Sequence, residues 1–205
     1  AIDQLTQAGT VVITLVSDVP ASTRQHYVGI DNTAAGRTAA TLVGRFIGRQ
    51  PAKVAIILGS LSLRDHAERY FGFNQVMAQE HPHLTVLPPL EGQDDADRNE
   101  ALTTQLFATH ADLAAIYSVG AGNAGISTAL RAAGRAQDTV FVGHELTPAS
   151  RADLLNGTMD AVINQDAGHE IRSALRVALA QWSQEPVLAD QERIRIDIYL
   201  KDNLP

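Results

Sequence analysis

The chain has 205 residues, 45% of them apolar, which is enough to bury the core of one large domain or two small ones. The net charge of −7 argues against a surface that grips nucleic acid by itself, because phosphate binding needs clustered positive charge. The absence of cysteine excludes disulfides, thiol catalysis and cysteine-bound metal clusters. No apolar run reaches the roughly 18 residues that a transmembrane helix needs.

The first residues have the pattern of the end of an amphipathic helix. Ile2, Leu5 and Ala8 are spaced to share one helical face, and Gly9 follows at a typical C-cap position. No residue that favours an N-cap precedes this stretch. We therefore expect the natural protein to extend beyond Ala1 at its N-terminus.

Short β-branched runs follow, and they predict strands at residues 11–16, 27–30, 54–58, 84–87, 114–119, 140–143, 161–164 and 194–200. The near-continuous apolar run at 54–58 is typical of a strand that is buried on both faces. By contrast, residues 193–199 alternate strictly between polar and apolar. One face of that last strand should therefore meet water, as in an edge or crossover strand.

Helical stretches alternate with these strands, at residues 33–48, 65–80, 96–109, 123–133, 148–156 and 168–184. Strand–helix alternation predicts right-handed crossovers and an α/β fold with parallel sheets flanked by helices. The acidic run at residues 94–97 precedes the third helix. We interpret it as N-capping residues that also complement the helix dipole.

Polar side chains follow five of the predicted strands. In open parallel sheets, ligands bind beyond the carboxyl ends of the strands, so these side chains are candidates for a binding site. Together they can hydrogen-bond a polyhydroxylated or otherwise polar small molecule. They are Ser17 and Asp18, Arg64 and Arg69, Asn123, His144 and Glu145, and Gln165 and Asp166.

The turn at residues 120–125 fits the pattern G-x-G-x-x-G, follows a predicted strand and opens a predicted helix. This pattern is typical of a dinucleotide site, with Glu145 as the acidic residue for the ribose. Dinucleotide folds usually carry the turn in their first βαβ unit, whereas several strands precede it here. The alternative interpretation is a glycine-rich turn that lets a ligand or the backbone approach closely.

Several segments together carry a resemblance to the ligand-binding core of the lactose-repressor family, which shares its fold with the ribose-binding type of periplasmic protein. The resemblance covers the whole chain and depends on the order and spacing of these segments. They are VITLVSD at 12–18, YVGIDN at 27–32, AGR at 35–37, RYFGF at 69–73, AIY at 115–117, VGHELT at 142–147, MDAVINQ at 159–165 and IYLKDNLP at 198–205.

The resemblance implies a two-lobed, hinged protein that binds a small ligand in its cleft. Residues 1–31 and 166–189 would form a partial N-terminal lobe, and residues 32–165 and 190–205 would form the C-terminal lobe. The chain would cross between lobes near residues 31, 165 and 190. The first lobe is expected to be incomplete, since it would need further βα units before Ala1.

The resemblance also implies roles for single residues. Asp18 matches the acidic residue that accepts sugar hydroxyls, Arg69 the pocket arginine and Gln165 the pocket glutamine. Glu145 stands where the family usually has aspartate, and His144 replaces an aromatic residue.

The position of the family's strand-end amide holds Gly120, and Asn123 is the candidate to substitute for that amide from the next turn. Ser17 and Arg64 are further candidates for ligand contact. Because a cleft arginine serves recognition, Arg69→Ala is expected to abolish stabilisation by ligand and to leave the fold intact.

Our leading hypothesis is the effector-binding domain of a bacterial transcriptional regulator, cytoplasmic and homodimeric, with a sugar or sugar-like effector. Lobe closure would control DNA binding by an N-terminal helix-turn-helix outside this chain, and DNA would be contacted only there. The alternative is a periplasmic sugar-binding protein of a transporter. An NAD-dependent enzyme built on the turn at 120–125 is a third hypothesis. We expect no catalytic residue, no cofactor, no metal and no membrane contact.

Overall fold

The computed structural model describes residues 1–187 and 191–205. In these residues the chain forms strands β1 (Ile13–Leu15), β2 (His26–Val28), β3 (Ala52–Leu58), β4 (Leu84–Val86), β5 (Leu90–Glu91), β6 (Leu113–Ser118), β7 (Val140–His144), β8 (Ala161–Gln165) and β9 (Ile196–Tyr199). The helices are α1 (Ile2–Gln7), α2 (Asn32–Ile47), α3 (Arg64–Glu80), α4 (Ala96–Thr109), α5 (Asn123–Ala132), α6 (Pro148–Asn156) and α7 (Ala167–Ser183), with a 3₁₀ turn at Lys201–Asn203.

Each predicted strand and helix is present, with its ends within two residues of the predicted ones. Strand β5 was not predicted, because two residues after a pair of prolines carry no periodicity that identifies a strand. The helix expected at the start of the chain is α1. Gly9 follows it in the left-handed conformation, with a φ of 83°.

Helix α6 shows how local sequence fixes the ends of an element. The Thr147 side chain accepts a hydrogen bond from the Ser150 N–H at 3.1 Å, and Ser150 Oγ accepts one from the Thr147 N–H at 2.8 Å. This reciprocal capping box satisfies two backbone donors that have no partner within the helix. Pro148 occupies the first helical position, and Gly157 ends the helix with a φ of 77°.

The larger sheet has the strand order β4-β3-β6-β7-β8-β9, and β5 pairs with β3 beyond the end of β4. Neighbouring strands from β4 through β8 run parallel, as the strand–helix alternation predicted. Strand β9 lies at the edge of this sheet, as its alternating sequence predicted. A separate two-stranded parallel sheet pairs β1 with β2.

The core lies on both faces of the larger sheet. On one face, Ile57 and Ile116 pack with Leu106 of α4 and Leu130 of α5 in a continuous buried cluster. On the other face, Tyr117 stacks on Phe73 of α3, with ring centroids 4.7 Å apart. All residues from Val54 to Leu58 are buried, which confirms a strand covered on both faces.

Helices α2 and α3 pack backbone to backbone on that second face. A Cβ atom at Gly36 would overlap the carbonyl oxygen of Arg69, and one at Gly72 would overlap the carbonyl oxygen of Thr33. The two glycines therefore allow the helices to approach more closely than any other residue would permit. This approach brings the first turns of α3 to the beginning of α2.

The chain forms two compact units. Unit 1 comprises Ala1–Asp31 and Gln165–Asp197, and unit 2 comprises Asn32–Asn164 and Ile198–Pro205. The first two divisions, between Asp31 and Asn32 and between Asn164 and Gln165, lie near the lobe boundaries predicted at residues 31 and 165. The third predicted crossing, near residue 190, lies outside the described residues; the compact units divide between Asp197 and Ile198. The assignment of functional lobes stays a prediction.

In unit 1, helix α7 packs against β1 and β2 and leaves apolar side chains exposed on its other side. These are Ile171, Leu175, Leu179 and Trp182, of which Trp182 is 85% exposed. Arginines interrupt this face at positions 172 and 176. In the described part of the chain, no helix is both long enough and apolar enough to cross a membrane.

The packing of α2 on α3 can be tested with Gly36→Ala. We expect the added methyl group to lower the free energy of unfolding by about 1–3 kcal/mol, because the backbone of α3 must move away. Urea unfolding of the variant and the wild type measures the difference. Arg37→Ala, at the next and exposed position of α2, is the control and should change the value by less than about 0.5 kcal/mol. Equal stability of Gly36→Ala and wild type would contradict the close approach.

Candidate functional site

The candidate site lies at the carboxyl ends of β3, β6 and β7, in unit 2. These neighbouring parallel strands end at one edge of the sheet, where open α/β sheets place their ligands. The structure places four of the sequence-predicted residues at this edge, each at a strand end or in contact with one. They are Arg69, Asn123, His144 and Glu145.

Arg69 connects two elements of unit 2. It is only 3% exposed; its Nε donates to Asn32 Oδ1 at 2.8 Å, and one terminal nitrogen donates to the Val119 carbonyl at 2.9 Å. The side chain thus ties the start of α2 to the end of β6. We therefore expect Arg69→Ala to lower the stability of the fold, because the substitution removes partners from buried polar groups.

The effect of Arg69→Ala on stability is a direct test of this connection. We expect the free energy of unfolding to fall by about 2–4 kcal/mol, since two buried hydrogen bonds are lost and a cavity remains. Denaturant unfolding without ligand measures the loss. Arg64→Ala is a matched control on the same helix and should behave like wild type. An Arg69→Ala protein as stable as the wild type would restore the original expectation.

Arg64 lies apart from the buried group around Arg69. It is exposed and pairs with Glu68 one turn further along α3, with 2.7 Å between Nη2 and Oε1. Exposed pairs of this kind contribute little to stability. The structure supplies no contact between Arg64 and the strand ends, so ligand contact by this residue stays a prediction without structural support.

Tyr117 and His144 form a buried neutral pair behind the strand ends. The Tyr117 hydroxyl and His144 Nε2 are 2.8 Å apart, and His144 is 2% exposed. Burial holds the pKa of His144 well below its usual value, and the nearby Arg69 lowers it further. Burial raises the pKa of the Tyr117 hydroxyl above its usual value. Both side chains are therefore uncharged at neutral pH.

His66 is a buried residue of the site that sequence reasoning did not single out. Its Nδ1 accepts a hydrogen bond from the Gly59 N–H at 3.1 Å, at the end of β3. Burial lowers the pKa of His66, while Asp65 and Asp94 act in the opposite direction. An acceptor at Nδ1 places the proton of the neutral ring on Nε2. The residue lies in the strand-end segment 59–69, but no local pattern distinguished it there.

Asp94 lies beside the ends of both β3 and β6. Its Oδ1 accepts a hydrogen bond from the Ala121 N–H at 2.8 Å, and Cβ atoms at Gly59 or Gly120 would overlap its carboxylate. The N-capping predicted for the acidic run 94–97 is confirmed at the neighbouring Asp95, whose side chain accepts the Arg98 N–H at 2.8 Å.

The glycine-rich turn at residues 120–125 serves local packing. Gly122 has a φ of 82° at the N-cap of α5, and a Cβ at Gly125 would overlap the Ala96 carbonyl of α4. The Ala121 N–H is occupied by the Asp94 carboxylate. A negative group at that position opposes a dinucleotide phosphate, so these residues do not fit the nicotinamide cofactor. They fit the alternative interpretation, a turn that permits close backbone approach.

Asn123 ties α5 to the end of β7. Its Nδ2 donates to the His144 carbonyl at 2.9 Å, and its Oδ1 has no hydrogen-bond partner among the described residues. The space beside Gly120 is filled by Asp94 and His66. Ligand contact by Asn123, in place of the amide that the resemblance implies, stays a prediction.

Glu145 follows β7 with a φ of 70°, in the left-handed region that few non-glycine residues adopt. Its N–H donates to the Ile163 carbonyl at 3.1 Å, and its own carbonyl accepts from Ser150 Oγ at 2.8 Å. These bonds to β8 and α6 hold the backbone in its unusual conformation at the strand end.

Unit 1 holds the other three predicted residues, Ser17, Asp18 and Gln165. The Asp18 carboxylate pairs with Arg24 and accepts a hydrogen bond from Thr14 Oγ1 at 2.7 Å. The Arg24 guanidinium lowers the pKa of Asp18 to about 2, so the carboxylate is ionised at neutral pH. Ser17 directly precedes it, and Gln165 is a buried residue at the end of β8.

A cavity of about 790 Å³ also lies within unit 1, between the end of β2 and residues 192–196. None of the predicted site residues lines it. Its volume suits a small molecule. Its lining comes from residues 26–31 and 192–196, which the sequence did not associate with ligand binding.

A model of the periplasmic binding protein domain matches residues 1–186. The chain belongs to the periplasmic binding protein family. The α/β, two-lobed fold that the sequence predicted is confirmed by this match and by the solved structures that resemble the chain.

Three similar proteins illustrate the relationship. The D-ribose/D-allose-binding protein of Pseudomonas aeruginosa is 27% identical over 157 residues, which are 75% of this chain and 47% of that protein. The chain thus spans about half the length of this curated relative.

Among solved structures, GanP, a glucose-galactose binding protein from Geobacillus stearothermophilus, has a TM-score of 0.91 at 23% identity, over 100% of this chain and 72% of GanP. An ABC transporter solute binding protein from Agrobacterium vitis, bound with α-D-tagatopyranose, has a TM-score of 0.88 at 21% identity, over 98% of this chain and 70% of that one. At these identities the likeness shows the fold.

Proposed function

We propose that the chain binds a sugar as part of a solute-binding protein that serves a transporter. The observation that carries the proposal is the cluster of polar side chains at the ends of β3, β6 and β7, in a chain that belongs to this family. Carboxylate and guanidinium groups make strong, directional hydrogen bonds with hydroxyls, and a polyhydroxylated ligand offers both donors and acceptors.

The similar proteins support transport better than the regulator hypothesis. The relatives from Pseudomonas and Geobacillus are named for sugar binding, and the one from Agrobacterium is an ABC transporter component with a bound sugar. A DNA-binding partner, a homodimer and a cytoplasmic location belong to the regulator hypothesis and stay predictions. We further propose that the sugar is bound without chemical conversion, in keeping with the binding names of these relatives.

Isothermal titration calorimetry of the full-length natural protein with D-ribose, D-allose, D-galactose and D-tagatose tests sugar binding. We expect saturable binding of at least one sugar, and stabilisation by about 2.7 kcal/mol when that sugar is at a hundred times its Kd. NAD is the control ligand and should produce neither heat nor stabilisation. No binding of any of the four sugars, with stabilisation by NAD, would contradict the proposal.

The cellular location separates transport from regulation. Fractionation of the source cells should release the protein with the periplasmic contents if it serves a transporter. Recovery from the cytoplasm, as a dimer that binds DNA, would support the regulator hypothesis instead.

A further inference from the structure

Glycines lie just beyond the ends of two neighbouring strands of unit 2. Gly59 follows β3 and Gly120 lies just beyond β6, so neither strand can present its own side chain at these positions. The space beside both glycines is occupied by the carboxylate of Asp94 and the imidazole of His66. A residue from the loop before α4 therefore supplies the functional group at this part of the sheet edge.

The backbone holds Asp94 at this place in an uncommon conformation. Gln93 and Asp94 have φ values of 55° and 58°, in the left-handed region that non-glycine residues seldom adopt. The Gln93 N–H donates to the Gly59 carbonyl at 3.1 Å, and the Gly92 N–H donates to the Leu58 carbonyl at 2.7 Å. The loop is thus fixed to the end of β3, and Asp94 cannot move away without breaking this connection.

The side chain of Asp94 keeps hydrogen-bonding capacity toward solvent. The residue is exposed, one of its carboxylate oxygens accepts the Ala121 N–H, and no lysine or arginine of the described residues forms an ion pair with it. His66 beneath it is buried and bonded through Nδ1 to the Gly59 N–H. The carboxylate is therefore held beside the two strand ends on an exposed residue, and the Ala121 N–H takes up only one of its acceptor sites.

We propose that Asp94 is a specificity-determining residue of the sugar site, a carboxylate that accepts hydroxyl protons of the ligand. The inference rests on the proposed function and deepens it. An ionised carboxylate has only acceptors, so the ligand atom that meets it must carry a hydrogen-bond donor. A sugar with a hydroxyl there is bound, and the deoxy analogue is rejected because it leaves the desolvated carboxylate without a partner.

A purely structural role of Asp94 makes a different prediction. If the residue only fixes the turn at Ala121, Asp94→Asn should bind sugar like the wild type, because the amide oxygen can still accept the Ala121 N–H. If the carboxylate meets the ligand, the same substitution removes its charge and replaces one acceptor with a donor. Asp94→Asn therefore separates the two roles while it keeps the size of the side chain.

The experiment uses calorimetry on the full-length natural protein with D-allose, D-ribose and their monodeoxy analogues, including 2-deoxy-D-ribose. We expect Asp94→Asn to weaken binding of the preferred sugar at least tenfold and to leave the Tm of the ligand-free protein unchanged. In the wild type, one deoxy analogue should bind at least tenfold more weakly than its parent, and this discrimination should shrink in the variant. Asp97→Asn, exposed in the first turn of α4, is the control and should match the wild type.

The outcomes separate this inference from the proposed function. If the wild type binds sugar and Asp94→Asn binds it equally well with the same discrimination, the role of Asp94 is overturned and the proposed function stands. If the wild type binds none of the sugars tested, the proposed function fails and the inference fails with it. A fall in the Tm of ligand-free Asp94→Asn, with sugar affinity retained, assigns the residue a structural role only.

Discussion

The close packing of α2 against α3 positions the candidate site. Gly36 and Gly72 let the two helix backbones touch, so the carbonyl of Arg69 rests directly on α2. From this position the Arg69 guanidinium reaches Asn32 at the start of α2 and Val119 at the end of β6. Wider helix spacing would move the guanidinium away from these two oxygens, and the buried charge would lose the partners that make its burial tolerable.

The buried rings around this arginine are uncharged. Burial keeps the pKa values of His66 and His144 below their usual range, and Tyr117 keeps its proton. A positive charge that is already buried disfavours the protonation of nearby imidazoles. The uncharged rings of His66, Tyr117 and His144 are thus buried, and the carboxylate of Asp94, a hydrogen-bond acceptor, belongs to an exposed residue beside the strand ends.

The order of elements and the edge of the sheet that carries the site could be predicted from sequence. Apolar runs and helical periodicity are local signals, and the rule for parallel sheets then indicates the carboxyl ends of the strands. The side chains that meet at this edge could not all be predicted. Asp94 adopts a positive φ without being glycine, which no sequence pattern signals, so its place beside the ends of β3 and β6 was not predicted.

Contacts between distant elements explain the other differences. The glycine contact between α2 and α3 depends on how the helices pair, and spacing within either helix does not reveal it. Asn123 had a plausible place in the sequence, but its amide is committed to the end of β7. Similarly, Arg64 and Arg69 are equal in type and near in sequence; the resemblance favoured Arg69, but only the structure shows that it is buried between α2 and β6.

We propose that the sugar binds against the ends of β3 and β6 in unit 2. Amide chemical shifts of the isotope-labelled full-length protein, followed during a titration with its best-bound sugar, test this contact most directly. We expect the largest changes at Gly59, Ser60, Gly120 and Ala121, which adjoin His66 and Asp94. Unchanged shifts at these four amides, with changes concentrated around the unit 1 cavity at residues 192–196, would contradict it.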